Sequence, residues 1–183
     1  MLDYPEVEQV YVLSNSFKQS NISLITKIPK LNKLVIGKKS FISSSEVRGK
    51  RICDLHDMPE IEDITIEDQC FKYYEILKLS KMDKLKNISL GEGCFRDASI
   101  LELVDLPNLE TITISNNCFQ SKSQNLDNSR CYIVGCPKLH SLEINSNSFH
   151  QCKSFELKNV DSLKTLIIGR DCFAYSDFSL NSR

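Results

Sequence analysis

Three groups of residues have the types and spacings that chemistry needs. Cys131-x4-Cys136-x3-His140, followed by His150-x-Cys152, has the make-up of a zinc site. The run Glu60, Glu62, Asp63, Glu67 and Asp68 offers carboxylates for a metal ion or for a general acid/base pair. Eight cysteines in 183 residues raise the question of disulfides. Each reading depends on where the local elements point these side chains, so the elements come next.

Phenylalanines stand at 17, 41, 71, 95, 119, 149 and 173, with gaps of 24, 30, 24, 24, 30 and 24 residues. A period of this size predicts a solenoid of stacked coils. Ahead of each Phe the chain reads apolar-x-x-apolar-x-apolar, as in LNKLVI (31–36), IEDITI (61–66) and LETITI (109–114). The alternation and the β-branched residues predict a short strand. Pro5, Pro29, Pro59, Pro107 and Pro137 stand two residues before the first apolar position, with Asp83 and Asp161 in the other copies. Both residue types mark turns, so each strand starts after a corner. A second alternation follows each Phe, as in ILKL (76–79), ILEL (100–103), CYIV (131–134) and SFEL (154–157). It predicts a second strand per coil. The outer copies, ISL at 22–24 and FSL at 178–180, stand one position early. The expected fold is therefore a mainly β repeat solenoid: stacked parallel strands, two short strands per coil, about seven coils, and little or no long helix. Leu109, Ile112, Ile114 and Phe119 point inward, and Asn117 is expected to bond the backbone of the turn after the strand.

This phase removes most of the chemistry. Cys131 and Cys136 fall on inward slots and His140 and His150 on outward ones, whereas zinc needs ligands converging on one point. Cys70, Cys94, Cys118 and Cys172 share the slot before the Phe, and Ser16, Ser40 and Ser148 fill it elsewhere. Only Ser and Cys occur there, which calls for a small side chain and not for thiol chemistry. Free thiols are expected, and they fit a cytoplasmic setting. Stacking also lines up charges of mostly alternating sign, such as Glu8, Asn32, Glu62, Lys86, Glu110, His140 and Lys164. Opposite charges on neighbouring strands set the register. In this reading Lys30, Lys33 and Lys38 neutralise Glu60, Asp63 and Asp68, so the acidic run is structural. A carbohydrate-active β-helix enzyme would instead need uncompensated carboxylates, and Glu67, Asp68 and Glu92 are where they would converge. No phosphate-binding loop, G-x-S-x-G, H-E-x-x-H or Cys/His nucleophile pair occurs. No catalytic residue, metal or cofactor is expected.

The string apolar-x-x-apolar-x-apolar-x-x-Asn-x-Phe resembles the leucine-rich repeat signature, with Phe in the last slot. The resemblance covers nearly the whole chain. The NSF and NCF variants are similar to irregular leucine-rich repeats of protist and bacterial surface proteins. The Asn slot holds Asn only at 15, 117 and 147, and otherwise Lys39, Gln69, Gly93 and Asp171. A continuous asparagine ladder is thus absent. The return segments read as strand, which predicts a flat two-sheet solenoid. The resemblance implies a protein-binding face on the first sheet.

Apolar residues make up 41% and charged residues 26%, and the net charge is −1. Near-neutrality argues against bulk electrostatic binding to nucleic acid or to anionic lipid. No stretch of about 18 apolar residues predicts a membrane span, and Met1–Leu13 lacks the pattern of a signal peptide. Residues 1–183 read as one leucine-rich-repeat-like solenoid, a segment of a longer array, with flanking repeats or a cap expected at both ends. Coils two and five carry extra loops at about 42–51 and 120–130. They lie at the same phase, roughly 14–15 Å apart. Recognition concentrates on such loops. The candidate partner-binding residues are Arg48, Lys50 and Arg51 in the first, Lys122 and Arg130 in the second, and Tyr11, Thr65, Ser89, Thr113 and Glu143 along the outward face. The expected role is a non-enzymatic scaffold for a protein partner. The alternative is an extracellular adhesin, for which the sequons Asn21-Ile-Ser23 and Asn87-Ile-Ser89 would matter.

Overall fold

The computed structural model describes residues 4–18, 28–42, 51–121 and 128–181, the last four as backbone only. Thirteen strands follow one another: β1 Gln9–Val12, β2 Lys33–Ile36, β3 Ile52–His56, β4 Asp63–Ile66, β5 Ile76–Ser80, β6 Asn87–Leu90, β7 Ile100–Val104, β8 Thr111–Ile114, β9 Arg130–Val134, β10 Ser141–Ile144, β11 Ser154–Lys158, β12 Thr165–Ile168 and β13 Asp177–Asn181. They form two parallel sheets, one in the order β1-β2-β4-β6-β8-β10-β12, the other β3-β5-β7-β9-β11-β13. The protein is a β-solenoid, and no helix occurs among the described residues.

Each coil is built the same way. A turn opens it, in which the amide of the first apolar residue donates to the carbonyl three residues back: Leu31 to Ile28, Ile61 to Met58, Leu109 to Leu106, Leu139 to Cys136. Pro29, Pro59, Pro107 and Pro137 sit second in these turns, where a fixed φ near −65° is already correct. The strand that follows buries alternate residues, and its partner in the next coil lies one repeat on, as in Leu34 opposite Ile64 and Ile64 opposite Ile88. The last coil loses one residue, but β13 keeps its register on β11, with Phe155 opposite Phe178. In this coil the one-position shift is therefore absorbed at the corner: Ser176 closes the turn onto Phe173, and Asp177 already belongs to the strand; the shift expected at 22–24 lies outside the described residues.

The seven phenylalanines form one stack. Successive centroids lie 5.2, 4.9, 4.8, 5.6, 4.5 and 5.1 Å apart, with rings 4–11° from parallel. Tyr74 meets Phe71 edge-on at 4.9 Å, and Phe155 stacks on Phe173 at 4.3 Å. Every one of these phenylalanines has a left-handed backbone, φ 49–55°. That conformation costs an L-residue about 1–2 kcal/mol. Burial of the ring (about 1.5–3 kcal/mol) and ring-on-ring contact (about 0.5–1.5 kcal/mol) offset it.

The slot two residues before the Phe is left-handed as well, at Asn15, Lys39, Gln69, Gly93, Asn117, Asn147 and Asp171. This corrects the expected role of Asn117. Its side-chain Nδ2 donates to Glu92 Oε1 at 3.0 Å, and its Oδ1 accepts from Gln120 at 3.2 Å. The slot selects for φ near +60°, which Asn, Asp and Gly tolerate and Lys39 and Gln69 endure. The ladder runs through this corner, since the slot's amide donates to the next coil, as in Gln69 to Glu92 and Gly93 to Asn116.

Candidate functional site

Side chains between the left-handed pair form a second ladder. Ser40 Oγ donates to Leu13 O at 3.1 Å, and Ser148 Oγ to Ser115 O at 3.0 Å. Cys70 Sγ lies 3.1 Å from Gly37 O, Cys94 Sγ 2.9 Å from Glu67 O, Cys118 Sγ 3.3 Å from Gly91 O, and Cys172 Sγ 3.1 Å from Asn145 O. The slot thus needs a donor as well as small size, which only Ser and Cys combine here. Burial pushes the Cys118 thiol up to about 12 and those of Cys136 and Cys152 up to about 11. Thiolate character, the basis of cysteine reactivity, is suppressed at these positions. All eight cysteines are free, and seven of them are buried.

The acidic run has partners. Lys38 Nζ lies 2.9 Å from Asp68, whose other oxygen accepts from the Glu92 amide at 3.0 Å. The Lys38 hydrogen bond holds the Asp68 carboxyl below the usual range, against the upward pull of burial. Glu67 Oε2 takes the Lys38 amide at 3.1 Å, Glu62 pairs with Lys86 at 2.8 Å, and Asp63 accepts from Asn87 at 2.7 Å. The sequence expectation that Lys30 neutralises Glu60 is corrected: Lys30 turns to Glu6 and Glu60 takes Lys84, both at 2.5 Å. Lys33 is the register partner of Asp63, yet the carboxylate bonds to Asn87 on its other side. Glu67, Asp68 and Glu92 thus each accept a hydrogen bond. Cys131 and Cys136 are buried inside the coil, while His140 faces Glu110 outside at 4.0 Å and His150 meets the Asp171 carbonyl at 3.1 Å. Among the described residues, no three potential ligands gather as a metal ion requires.

The candidate partner-binding residues fall on two faces. Tyr11, Thr65, Ser89, Thr113 and Glu143 form one outward column of the seven-stranded sheet, in continuous register from β1 to β12. Beside them Thr111 Oγ1 donates to Asn87 Oδ1, and Asn87 Nδ2 donates to Asp63 Oδ1, both at 2.7 Å. Glycine belongs at Gly91, directly after β6, because a Cβ there would stand 2.6 Å from the Asp68 backbone nitrogen.

Arg130 lies on the six-stranded sheet in β9, and Arg51 directly precedes β3 of the same sheet. Arg51 Nη1 donates to Tyr73 O at 3.4 Å. Arg130 Nε donates to Glu102 at 2.8 Å, and the guanidinium carbon lies 5.6 Å from the Tyr132 ring centre. Lys78 approaches the same Glu102 carboxylate from the other side at 2.8 Å. Burial pulls the Glu102 carboxyl upward, but the two cations together outweigh it and hold it below the usual range. Arg130 is therefore already engaged within its own sheet. Arg48, Lys50 and Lys122 lie outside the described residues.

No match to the chain is found among protein-family models, curated proteins or solved structures. No helix among the described residues is long and apolar enough to cross a membrane. Lys78, Glu102 and Tyr132 share one column, as the spacing of the return strands gives, but the turn of Arg130 onto Glu102 is not visible in the sequence.

Proposed function

We propose that the protein is a non-enzymatic, leucine-rich-repeat-like scaffold that binds a protein partner on the outward face of the seven-stranded sheet. The observation that carries this reading is the contrast between the two outward faces. The six-stranded sheet spends its central charges on itself, through Lys78, Glu102 and Arg130. The centre of the seven-stranded sheet presents Val35, Thr65, Ser89 and Thr113, short side chains with no charge among them. A partner could cover these without stripping water from ions or breaking ion pairs, which costs several kcal/mol per ion. Short side chains also lose little rotamer freedom on burial. The partnered state of Glu67, Asp68 and Glu92 supports a binding role over acid/base chemistry.

A photo-crosslinking residue placed at Ser89, and separately at Glu156 on the opposite sheet, tests the proposal. In cells expressing the protein, the Ser89 probe is expected to yield a discrete adduct that Ser89→Arg/Thr113→Arg chains do not compete away and that wild-type chain does. Identical adduct patterns from both faces would refute the assignment.

A further inference from the structure

One rim of the seven-stranded sheet carries a column whose sign alternates from coil to coil: Glu62, Lys86, Glu110 and His140. Glu62 pairs with Lys86 at 2.8 Å, and Glu110 faces His140 at 4.0 Å. Read in the opposite direction, such a column is its own complement. Resting on the reading of this face as the binding surface, we propose that its partner is a second copy of the chain. The two copies lie face to face with their coils running in opposite directions, about a two-fold axis along the strand direction between β6 and β8.

That axis sets β6 against β8, β4 against β10 and β2 against β12 of the other copy. Lys86 then meets Glu110, and Glu62 meets His140, each twice by symmetry. Opposite charges on a polar rim fix orientation and register. In the outward column between the rims, Ser89 meets Thr113, Thr65 meets Glu143 and Val35 meets Ile167. Hydroxyl thus faces hydroxyl or carboxylate, and the apolar pair covers itself. The short side chains of the central coils suit the spacing of about 10 Å at which sheets pack.

Other placements lose this match. An axis through β6 sets Lys86 on Lys86 and Glu62 on Glu110, and one through β8 sets Glu110 on Glu110. An axis between β4 and β6 keeps opposite charges together but lays Tyr11 on Glu143 and Leu13 on Asn145. A two-fold axis parallel to the solenoid sets Asp63 against Glu67. A second copy also fits better than an unrelated surface, because only an equal coil spacing of about 4.8 Å keeps every charge in step along the column. Six facing strands, each offering about 17 Å of length, give a face of roughly 400 Å² per copy. An area of that size belongs to weak, reversible contacts.

Sedimentation velocity of the 183-residue chain from about 1 μM to about 1 mM covers the affinity range of such contacts. The expected mass rises to that of two 20.9 kDa chains and stops there, because a two-fold contact closes on itself. Lys86→Glu and Glu110→Lys are surface changes, and circular dichroism checks that both variants fold. Each alone sets like charges at two symmetric contacts and should weaken association about tenfold. An equimolar mixture should dimerise as the wild type does, since each contact of the mixed pair again joins opposite charges. Thr65→Cys chains mixed with Glu143→Cys chains should be linked by a short bis-maleimide. Both carry Cys172→Ser, because the other seven cysteines are buried. Neither variant alone should link, since its two copies of the new thiol lie three coils, about 14 Å, apart along the stack. A chain that stays monomeric to about 1 mM overturns the proposal. So do a mass that passes beyond the dimer, linkage within either variant alone, or charge reversals without effect on association. A monomeric chain whose Ser89 photo-adduct in cells contains a different protein would overturn the self-pairing and keep the binding face; a monomeric chain with identical adducts from both faces would overturn both.

Discussion

Replacing Phe95 with Ala tests whether the ring stack is what couples the coils. Phe95 is fully buried, 4.8 Å from Phe71 on one side and 5.6 Å from Phe119 on the other, with Tyr74 edge-on at 6.5 Å. Removing a ring at such a site costs about 3–5 kcal/mol through lost transfer energy and the cavity left behind. Phe17 has a ring neighbour on one side only, Phe41 at 5.2 Å, and is about half exposed. Phe17→Ala should cost about 1 kcal/mol. Urea unfolding followed by far-ultraviolet circular dichroism measures both. In a solenoid the stability is a sum of coil and nearest-neighbour terms, so the damage should also be local. Amide exchange is expected to accelerate in β4, β6 and β8, which belong to the coils of Phe71, Phe95 and Phe119, before it does in β12. Equal costs for the two variants, or uniform loss of protection along the array, would refute a stack that works by contact between adjacent rings.

Three further outcomes follow from the corners and the ion pairs. Gln69→Gly should stabilise by about 0.5–1 kcal/mol, because Gln69 holds φ at 60°. Gly93→Ala in the same slot should cost about 1 kcal/mol, since its Cβ would meet nothing nearer than Gln69 Cγ at 3.7 Å and the penalty is the backbone's; thermal melting compares them. Cys94→Ser should be nearly neutral and Cys94→Ala should cost about 1–3 kcal/mol, as only Ser keeps a donor toward Glu67 O; an Ala variant as stable as the Ser variant would contradict the donor ladder. Glu102→Gln should cost about 1–3 kcal/mol at neutral pH by weakening the bonds to Lys78 and Arg130. Because the folded Glu102 carboxyl lies below its ordinary value, the unfolded chain takes up the proton first as pH falls. The wild-type advantage is therefore complete above about pH 4.3 and disappears as pH drops through the folded value. Urea midpoints of both chains, compared at neutral and strongly acidic pH, should converge at the acidic end.

Among the described residues, the inward register, the Phe spine and the two-strand coil were legible from residue types and spacing alone. Burial on alternate positions imprints a period of two, and identical coils imprint the longer repeat, so local patterning was enough. The left-handed corners were partly legible: one slot of the second corner holds Asp57, Lys81, Asp105, Gly135 and Asn159, all five with positive φ, and four of the five are residue types that tolerate it. Lys39, Gln69 and the phenylalanines hid the same conformation, because their side chains give no hint of a cost that stacking repays. The donor requirement behind the Ser/Cys choice, the turn of Lys30 to Glu6 and the turn of Arg130 onto Glu102 were decided by tertiary structure. The turn of Lys30 depends on which of two vertical neighbours a side chain reaches, and a strand column offers one on either side at about the same distance of 4.8 Å. Sequence determines who shares a column; only the packed stack breaks that tie.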